Sequence, residues 1–317
     1  MDKSVLAVDV GGTKIRIGEV TTCGEVLQHK RYESKYGTQR DILQQISESV
    51  TDYSKTVGWL NGRPSQMGVG LIGRTNPHTG TWLQIDGTRN EPIELASILA
   101  DTFQMSCKAA NDVKAATLAE QRWGYGRSTD NFIYLNVGTG IAAGSVVNGR
   151  LIWGGHYNAG EVGHITSGVD LDITCGCGRK NCVEPIASGL GIDRCARLLA
   201  GQYATSLVIP DTNDARVDVA EVYRRCQQGD ELCQVLVNHA ATGLANLIMN
   251  LIRVTDPDTV VLGGGVVADG FMLGHIQEKL NKHTIRFVSN GIVLTQLDAQ
   301  LVGLLGAGAV ALGEANL

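Results

Sequence analysis

A chain of 317 residues is longer than one hydrophobic core usually organises, which predicts two domains with a ligand cleft between them. Its formal net charge of -5, with Lys and Arg scattered, argues against a nucleic-acid partner, and no run of about 18 apolar residues marks a membrane partner. The opening MDKSVLAVDVGG has no signal-type segment, so the protein is read as cytoplasmic, where eight cysteines point to metal binding or chemistry rather than to disulfides.

In chain order, Ser4 to Val10 reads as a buried strand, Gly11 and Gly12 as a tight turn, and Lys14 to Val20 as a returning strand, with a third from Glu25. Ile42, Ile46, Val50 and Tyr53 then recur at helical spacing, as do Leu95, Ile98, Leu99 and Thr102. A short strand is expected near Lys108, followed by a helix from Val113 to Trp123. From Asn131 the first plan returns: strand FIYLNV, turn GTG, strand IAAGSVV, turn NG, strand RLIW. Two such copies half a chain apart indicate an internal duplication. Leu244, Leu247, Ile248, Leu251 and Ile252 form an apolar stripe that Asp256-Pro257 ends. Strand TVVL, turn GGGV and a closing small-residue helix, VGLLGAGAVAL, complete the chain.

Glycine-rich turns follow three buried strands: DVGGTK (Asp9 to Lys14), NVGTG (Asn136 to Gly140) and LGGGV (Leu262 to Val266). Glycine lets backbone approach a ligand, and successive N–H groups in such turns form anion-binding concavities. Three in one chain point to a nucleotide. Neither the Walker nor the Rossmann spacing is present; here a glycine turn joins two antiparallel strands.

Cys175, Cys177 and Cys182 cluster, while Cys23, Cys107, Cys195, Cys226 and Cys233 are spread out and read as ordinary buried thiols. Three thiolates need one more ligand for a structural zinc site. His164, eleven residues ahead of Cys175, is the first candidate and His156 the competing one. Unliganded thiols or a partly oxidised pair are the bland alternative. Asp112, read from its neighbours alone, is the N-cap of the helix that starts at Val113.

Taken together, DVGGTKIRIG, NDVKAATLAE, NVGTGIAAG, AGEVGH, CGCGRKNCVEPIASG and VVLGGGV occur in family order over nearly the whole chain. This pattern resembles the ROK family (repressors, open reading frames, kinases). Its members closest in feel are N-acetylmannosamine kinases and glucokinases. The resemblance implies an α/β fold of two duplicated actin-like (ribonuclease H-like) ATPase domains with an interdomain cleft. It assigns residues 1–112 to the first domain, 113–299 to the second with the zinc loop, and returns 300–317 to the first. The activity it implies is ATP-dependent phosphorylation of a hexose or N-acetylhexosamine, N-acetylmannosamine or glucose favoured, at the 6-hydroxyl.

The family's Asn-Asp pair falls on Asn111, a sugar contact, and Asp112, the general base. The AGE-x-GH and C-x-E patterns place Glu161, His164 and Glu184 against the sugar, and the turn at Gly73 beside it. Asp9 would orient Mg2+; Gly11, Gly12, Thr13 and Lys14, then Gly138, Thr139 and Gly140, would take the ATP phosphates, with Gly264 and Gly265 under the nucleotide. The implied zinc set is His164, Cys175, Cys177 and Cys182. On this reading the zinc shapes the sugar pocket, since four protein ligands leave no open position. A homodimer is also implied.

Two departures stand out. Ile72-Gly73 replaces a Pro-Gly turn, and the family's asparagine-tryptophan sugar loop is not recognisable, so Asp86, Gly87, Thr88 or Asn90 would substitute for it. Asn181 stands where the family has glycine, and asparagine tolerates the left-handed turn next best. The competing class is a sugar-responsive regulator. Family regulators carry a helix-turn-helix ahead of the core, whereas the first strand here begins by Ser4.

Overall fold

The computed structural model describes residues 3–35, 37–212 and 215–313. The end of the 300–317 segment, from 314 onward, lies outside the described residues. The chain is α/β, and its contacts divide it into two compact units: residues 1–130, 149–159 and 296–317, and residues 131–148 with 160–295.

In order, the first unit's elements are β1 (Ser4–Val10), β2 (Lys14–Thr21), β3 (Val26–Glu33), α1 (Gln39–Thr56), β4 (Gln66–Leu71), β5 (Arg74–Asn76), β6 (Thr81–Gln84), α2 (Leu95–Phe103), β7 (Ser106–Asn111) and α3 (Asp112–Trp123). The second unit opens with β8 (Phe132–Val137) and β9 (Ile141–Val147). After β10 (Arg150–Leu151), which groups with the first unit, come α4 (Glu184–Ala187), α5 (Gly189–Leu199), α6 (Val219–Gln227), α7 (Glu231–Thr255), β11 (Thr259–Gly263), α8 (Phe271–Lys279) and β12 (Ile292–Leu294). The closing helix, α9 (Val302–Leu312), belongs to the first unit.

The first sheet has the order β3-β2-β1-β4-β7, antiparallel across β1–β2–β3 and parallel across β1–β4–β7. Leu6, Val8 and Val10 of β1 are buried with Ile15 and Ile17 of β2, against the stripe Ile42, Ile46, Val50 and Tyr53 of α1. A capping box starts α1: the Thr38 hydroxyl accepts from Asp41 N at 3.2 Å and the Asp41 carboxylate accepts from Thr38 N at 2.8 Å. In α2 the stripe is narrower than its spacing suggests, because Leu95 and Leu99 are buried while Ile98 and Thr102 face out.

The expected break ahead of Val113 moves to Asp130. The cause is α9, whose small residues let backbones meet. A Cβ on Gly68 of β4 would lie 1.9 Å from the Ala307 carbonyl oxygen, and one on Gly306 would lie 2.8 Å from the Ala115 carbonyl carbon of α3. α9 therefore lies between the sheet and α3 and holds α3 in the first unit. Residues 149–159 join it too, since Lys114 Nζ donates to the Ile152 carbonyl at 3.1 Å and Gln121 Nε2 to the Gly149 carbonyl at 2.7 Å.

In the second unit β9 pairs antiparallel with β8, which runs parallel to β11 and then β12. Its core centres on α7, buried through Leu236, Leu244, Leu247, Ile248 and Ile252. Among the described residues α7 is the one helix long and apolar enough to cross a bilayer, yet its apolar side is this unit's core. It ends where Asp256 turns left-handed at φ 46° before Pro257. The expected strand RLIW shortens to Arg150–Leu151. Cys195 and Cys233 are buried, but Cys23 is exposed, so that thiol is not an interior one.

Candidate active site

In the first unit, the β1–β2 hairpin closes with Gly11 N donating to the Lys14 carbonyl at 2.9 Å. Gly12 and Thr13 are exposed at its tip, and a Cβ on Gly12 would meet nothing within 4 Å. Asp9 sits one residue before the turn strand ends, cross-strand from Arg16. The first turn of α9 faces it: a Cβ on Gly303 would lie 2.3 Å from Asp9 Oδ2, so only glycine leaves room for that carboxylate. Burial pushes the Asp9 carboxyl above its ordinary range, and the charges of Arg16 and Lys14 pull it back.

The Asn111-Asp112 pair lies at the junction of β7 and α3. Here the structure corrects the cap assignment: the N-cap is Asn111, whose Oδ1 accepts from Val113 N at 3.0 Å and Lys114 N at 3.2 Å. Asp112 is the first helical residue. Its Oδ1 accepts from Val113 N at 2.9 Å and Asn111 Nδ2 at 3.0 Å, which fixes the carboxylate plane at a helix N-terminus. Asn111 Nδ2 also donates to the Gly73 carbonyl at 3.0 Å. Gly73 has φ +81°, and a Cβ there would lie 2.2 Å from the Gln84 carbonyl oxygen, so this turn requires glycine. The fold therefore brings Gly73, Asn111 and Asp112 together.

The loop after β6 is self-satisfied. Asp86 Oδ1 accepts from Thr88 N at 2.9 Å and Arg89 N at 3.0 Å, and Oδ2 accepts from Arg89 Nε at 2.9 Å. These bonds hold the Asp86 carboxyl well below the usual range, led by the Arg89 guanidinium. Asp86 is therefore occupied in shaping its loop.

In the second unit, three segments meet at the β8–β9 turn. Gly138 N donates to the Gly140 carbonyl at 3.0 Å, closing the turn. Gly189 N, at the start of α5, donates to the Gly138 carbonyl at 2.8 Å, and Val266 N to the Val137 carbonyl at 3.0 Å. Gly264 has φ +92°, and a Cβ on it would lie 2.4 Å from the Val137 carbonyl oxygen. Gly265, by contrast, is open to that depth. Glu184, the first residue of α4, accepts from Ile141 N through Oε2 at 2.8 Å. Gly189, which sequence reasoning left without a role, thus backs the turn; its signal was the Ser-Gly that follows EPIA.

His164 ends a short 3-10 turn, Val162–His164, that starts beyond Glu161. Its two nitrogens face different groups: Nδ1 is 3.4 Å from Cys175 Sγ, and Nε2 is 3.9 Å from Glu161 Oε2. The ligand atoms of His164, Cys175, Cys177 and Cys182 all lie within 4.8 Å of one another, and His156 is not among them. Cys177 Sγ and Cys182 Sγ are 3.7 Å apart. A tetrahedral zinc with bonds of about 2.3 Å to sulfur and about 2.0 Å to nitrogen has S–S edges of about 3.8 Å and S–N edges of about 3.5 Å. Donor set and spacing are therefore compatible with zinc. As bare thiols the pair differ: burial pushes Cys182 up to about 12, and a backbone hydrogen bond with Arg179 holds Cys177 below its usual range. Asn181 is left-handed at φ 54°; its Oδ1 accepts from Ile173 N at 3.1 Å and its Nδ2 donates to Asp170 Oδ1 at 2.7 Å. The asparagine therefore both makes the turn and fastens the loop.

The ROK family model matches residues 5–314. The chain belongs to the ROK family. Among its relatives, the Shigella flexneri N-acetylmannosamine kinase is 30% identical over 321 residues, 98% of this chain and 99% of that one. The Halalkalibacterium halodurans glucokinase is 28% identical over 299 residues, 92% of this chain and 89% of that one. Among solved ROK-type structures, a putative N-acetylmannosamine kinase from Listeria monocytogenes superposes with a TM-score of 0.79 at 25% identity, covering 99% of this chain and 100% of that one.

Proposed function

We propose that this ROK protein is an ATP-dependent carbohydrate kinase that phosphorylates a hexose or N-acetylhexosamine, N-acetylmannosamine or glucose favoured, at the 6-hydroxyl. The observation that carries the reading is the Asn111-Asp112 pair, locked to Gly73 and to the N-terminus of α3. Phosphoryl transfer needs positioning, charge neutralisation and an acceptor for the hydroxyl proton. Asp112 takes that proton as the sugar oxygen bonds to the γ-phosphorus and the bridging oxygen leaves with ADP. Asn111, Glu161, His164 and Glu184 are assigned to the sugar hydroxyls, for which carboxylates are strong acceptors.

The glycine turns at 11–14 and 138–140, with Gly264 and Gly265, are assigned to ATP. Asp9 would hold Mg2+, which neutralises phosphate charge when bound. His164, Cys175, Cys177 and Cys182 would hold a structural zinc that pins the loop ahead of Glu184. We also take the protein as a cytoplasmic homodimer; sedimentation velocity checks the dimer.

The test is ADP release across glucose, mannose, allose, fructose, N-acetylmannosamine and N-acetylglucosamine. Sugar-dependent turnover supports the reading. Sugar binding with no turnover on any member would overturn it in favour of a sugar-responsive regulator.

A further inference from the structure

The β8–β9 turn is pinned at both feet by one corner of the second unit, where α4 passes into α5. On one foot the Gly138 carbonyl accepts from Gly189 N at 2.8 Å, a backbone contact. On the other, Ile141 N points out of the hairpin and ends on Glu184 Oε2 at 2.8 Å, a side-chain contact. The fit around that carboxylate is close. A Cβ on Gly140 would lie 2.7 Å from Glu184 Oε2, and one on Gly163 would lie 3.1 Å from it and 2.5 Å from the Ile141 carbonyl oxygen. Two glycines thus clear the space that lets Glu184 reach the strand. No hydrogen bond to Oε1 is found among the described residues.

We infer that Glu184 is a positioning residue for the nucleotide turn as well as a sugar contact, with Oε2 bracing residues 138–141 and Oε1 offered to a sugar hydroxyl. One carboxylate then links the two substrates: a sugar that fixes its orientation stiffens the turn, and by linkage the nucleotide favours the sugar to the same degree. The inference rests on the sugar-kinase reading for the identity of both ligands.

The test is calorimetric binding of Mg2+ with a non-hydrolysable ATP analogue, without sugar, to the wild type, Glu184→Gln and Glu184→Ala. Glutamine still offers a carbonyl oxygen to Ile141 N–H, so Glu184→Gln stays within about twofold of the wild type, while Glu184→Ala, losing a charge-assisted hydrogen bond, weakens about tenfold. In kinetics, Glu184→Gln raises the sugar KM and leaves the ATP KM nearly unchanged. Glu184→Ala that binds nucleotide as the wild type does would overturn the inference alone. Wild-type protein that binds no nucleotide would instead overturn the kinase reading and the inference with it. Should Glu184→Ala fail to fold, hydrogen exchange at the Ile141 amide of the wild type decides the matter. Exchange slowed by the preferred sugar alone supports the link, and exchange unchanged by that sugar overturns it.

Discussion

The β1–β2 turn and the β8–β9 turn follow equivalent strands in their two units, yet different things stand behind them. The first is held by its own hairpin, has open space at Gly12, and is surrounded by charge from Asp9, Lys14 and Arg16. The second is buttressed by a side chain from α4, a backbone N–H from α5 and the close backbone of Gly264. One strand-turn-strand motif therefore reaches the same shape by two routes, local closure with charge and distant packing. Substitutions at the first turn should stay local, and those behind the second should spread.

The largest expected effect belongs to neither turn. Asp112→Asn lowers kcat by about 10²- to 10⁴-fold, while its melting temperature stays near the wild type because asparagine still accepts from Val113 N. A small loss of kcat would shift the chemistry toward one of the turns. Next, removing zinc with a chelator lowers the melting temperature by about 5 °C or more. It also raises the sugar KM, through the loop that ends at Cys182, two residues before Glu184. An unchanged sugar KM in metal-free protein would separate the zinc loop from the pocket.

A more direct contrast comes from two glycine substitutions read by urea unfolding. Gly264→Ala forces a side chain into φ +92° and onto the Val137 carbonyl, costing about 1–3 kcal/mol. Gly12→Ala enters open space and changes stability by less than about 0.5 kcal/mol. Equal losses would break the comparison. A further effect is at Asp9, whose folded-state pKa is raised by burial above the ordinary 3.8. The folded state thus holds that proton more tightly than the unfolded chain. Asp9 ionisation then costs stability that grows as pH rises from near 3.8 through the folded pKa. Asp9→Asn therefore raises the melting temperature at pH 7, and the gain shrinks on acidification, while Mg2+-nucleotide binding weakens.

What could be read from the sequence follows from locality. The hairpins were legible because short buried apolar runs and Gly-Gly or Asn-Gly turns are written into a few adjacent residues, and α1 was legible because Ile42, Ile46, Val50 and Tyr53 all face the core. The family motifs carried the candidate site residues, each within a short window. The unit boundary was not legible, because α3 is kept in the first unit by Gly306 and Gly68, one of them nearly two hundred residues away. Separation along the chain likewise hid the contact of Gly303 with Asp9 and the bracing of Ile141 by Glu184. At the Asn-Asp pair the sequence reading put the cap on Asp112, and the backbone turn at Asn111 shows that Asn111 caps instead.

The measurement that bears most directly on the central claim is phosphorus NMR of the product formed from ATP and the preferred sugar. The account predicts stoichiometric ADP and a new phosphate monoester whose phosphorus couples to the two protons on C6. ADP accompanied by inorganic phosphate and no phosphate monoester, or an ester on another carbon, would contradict it.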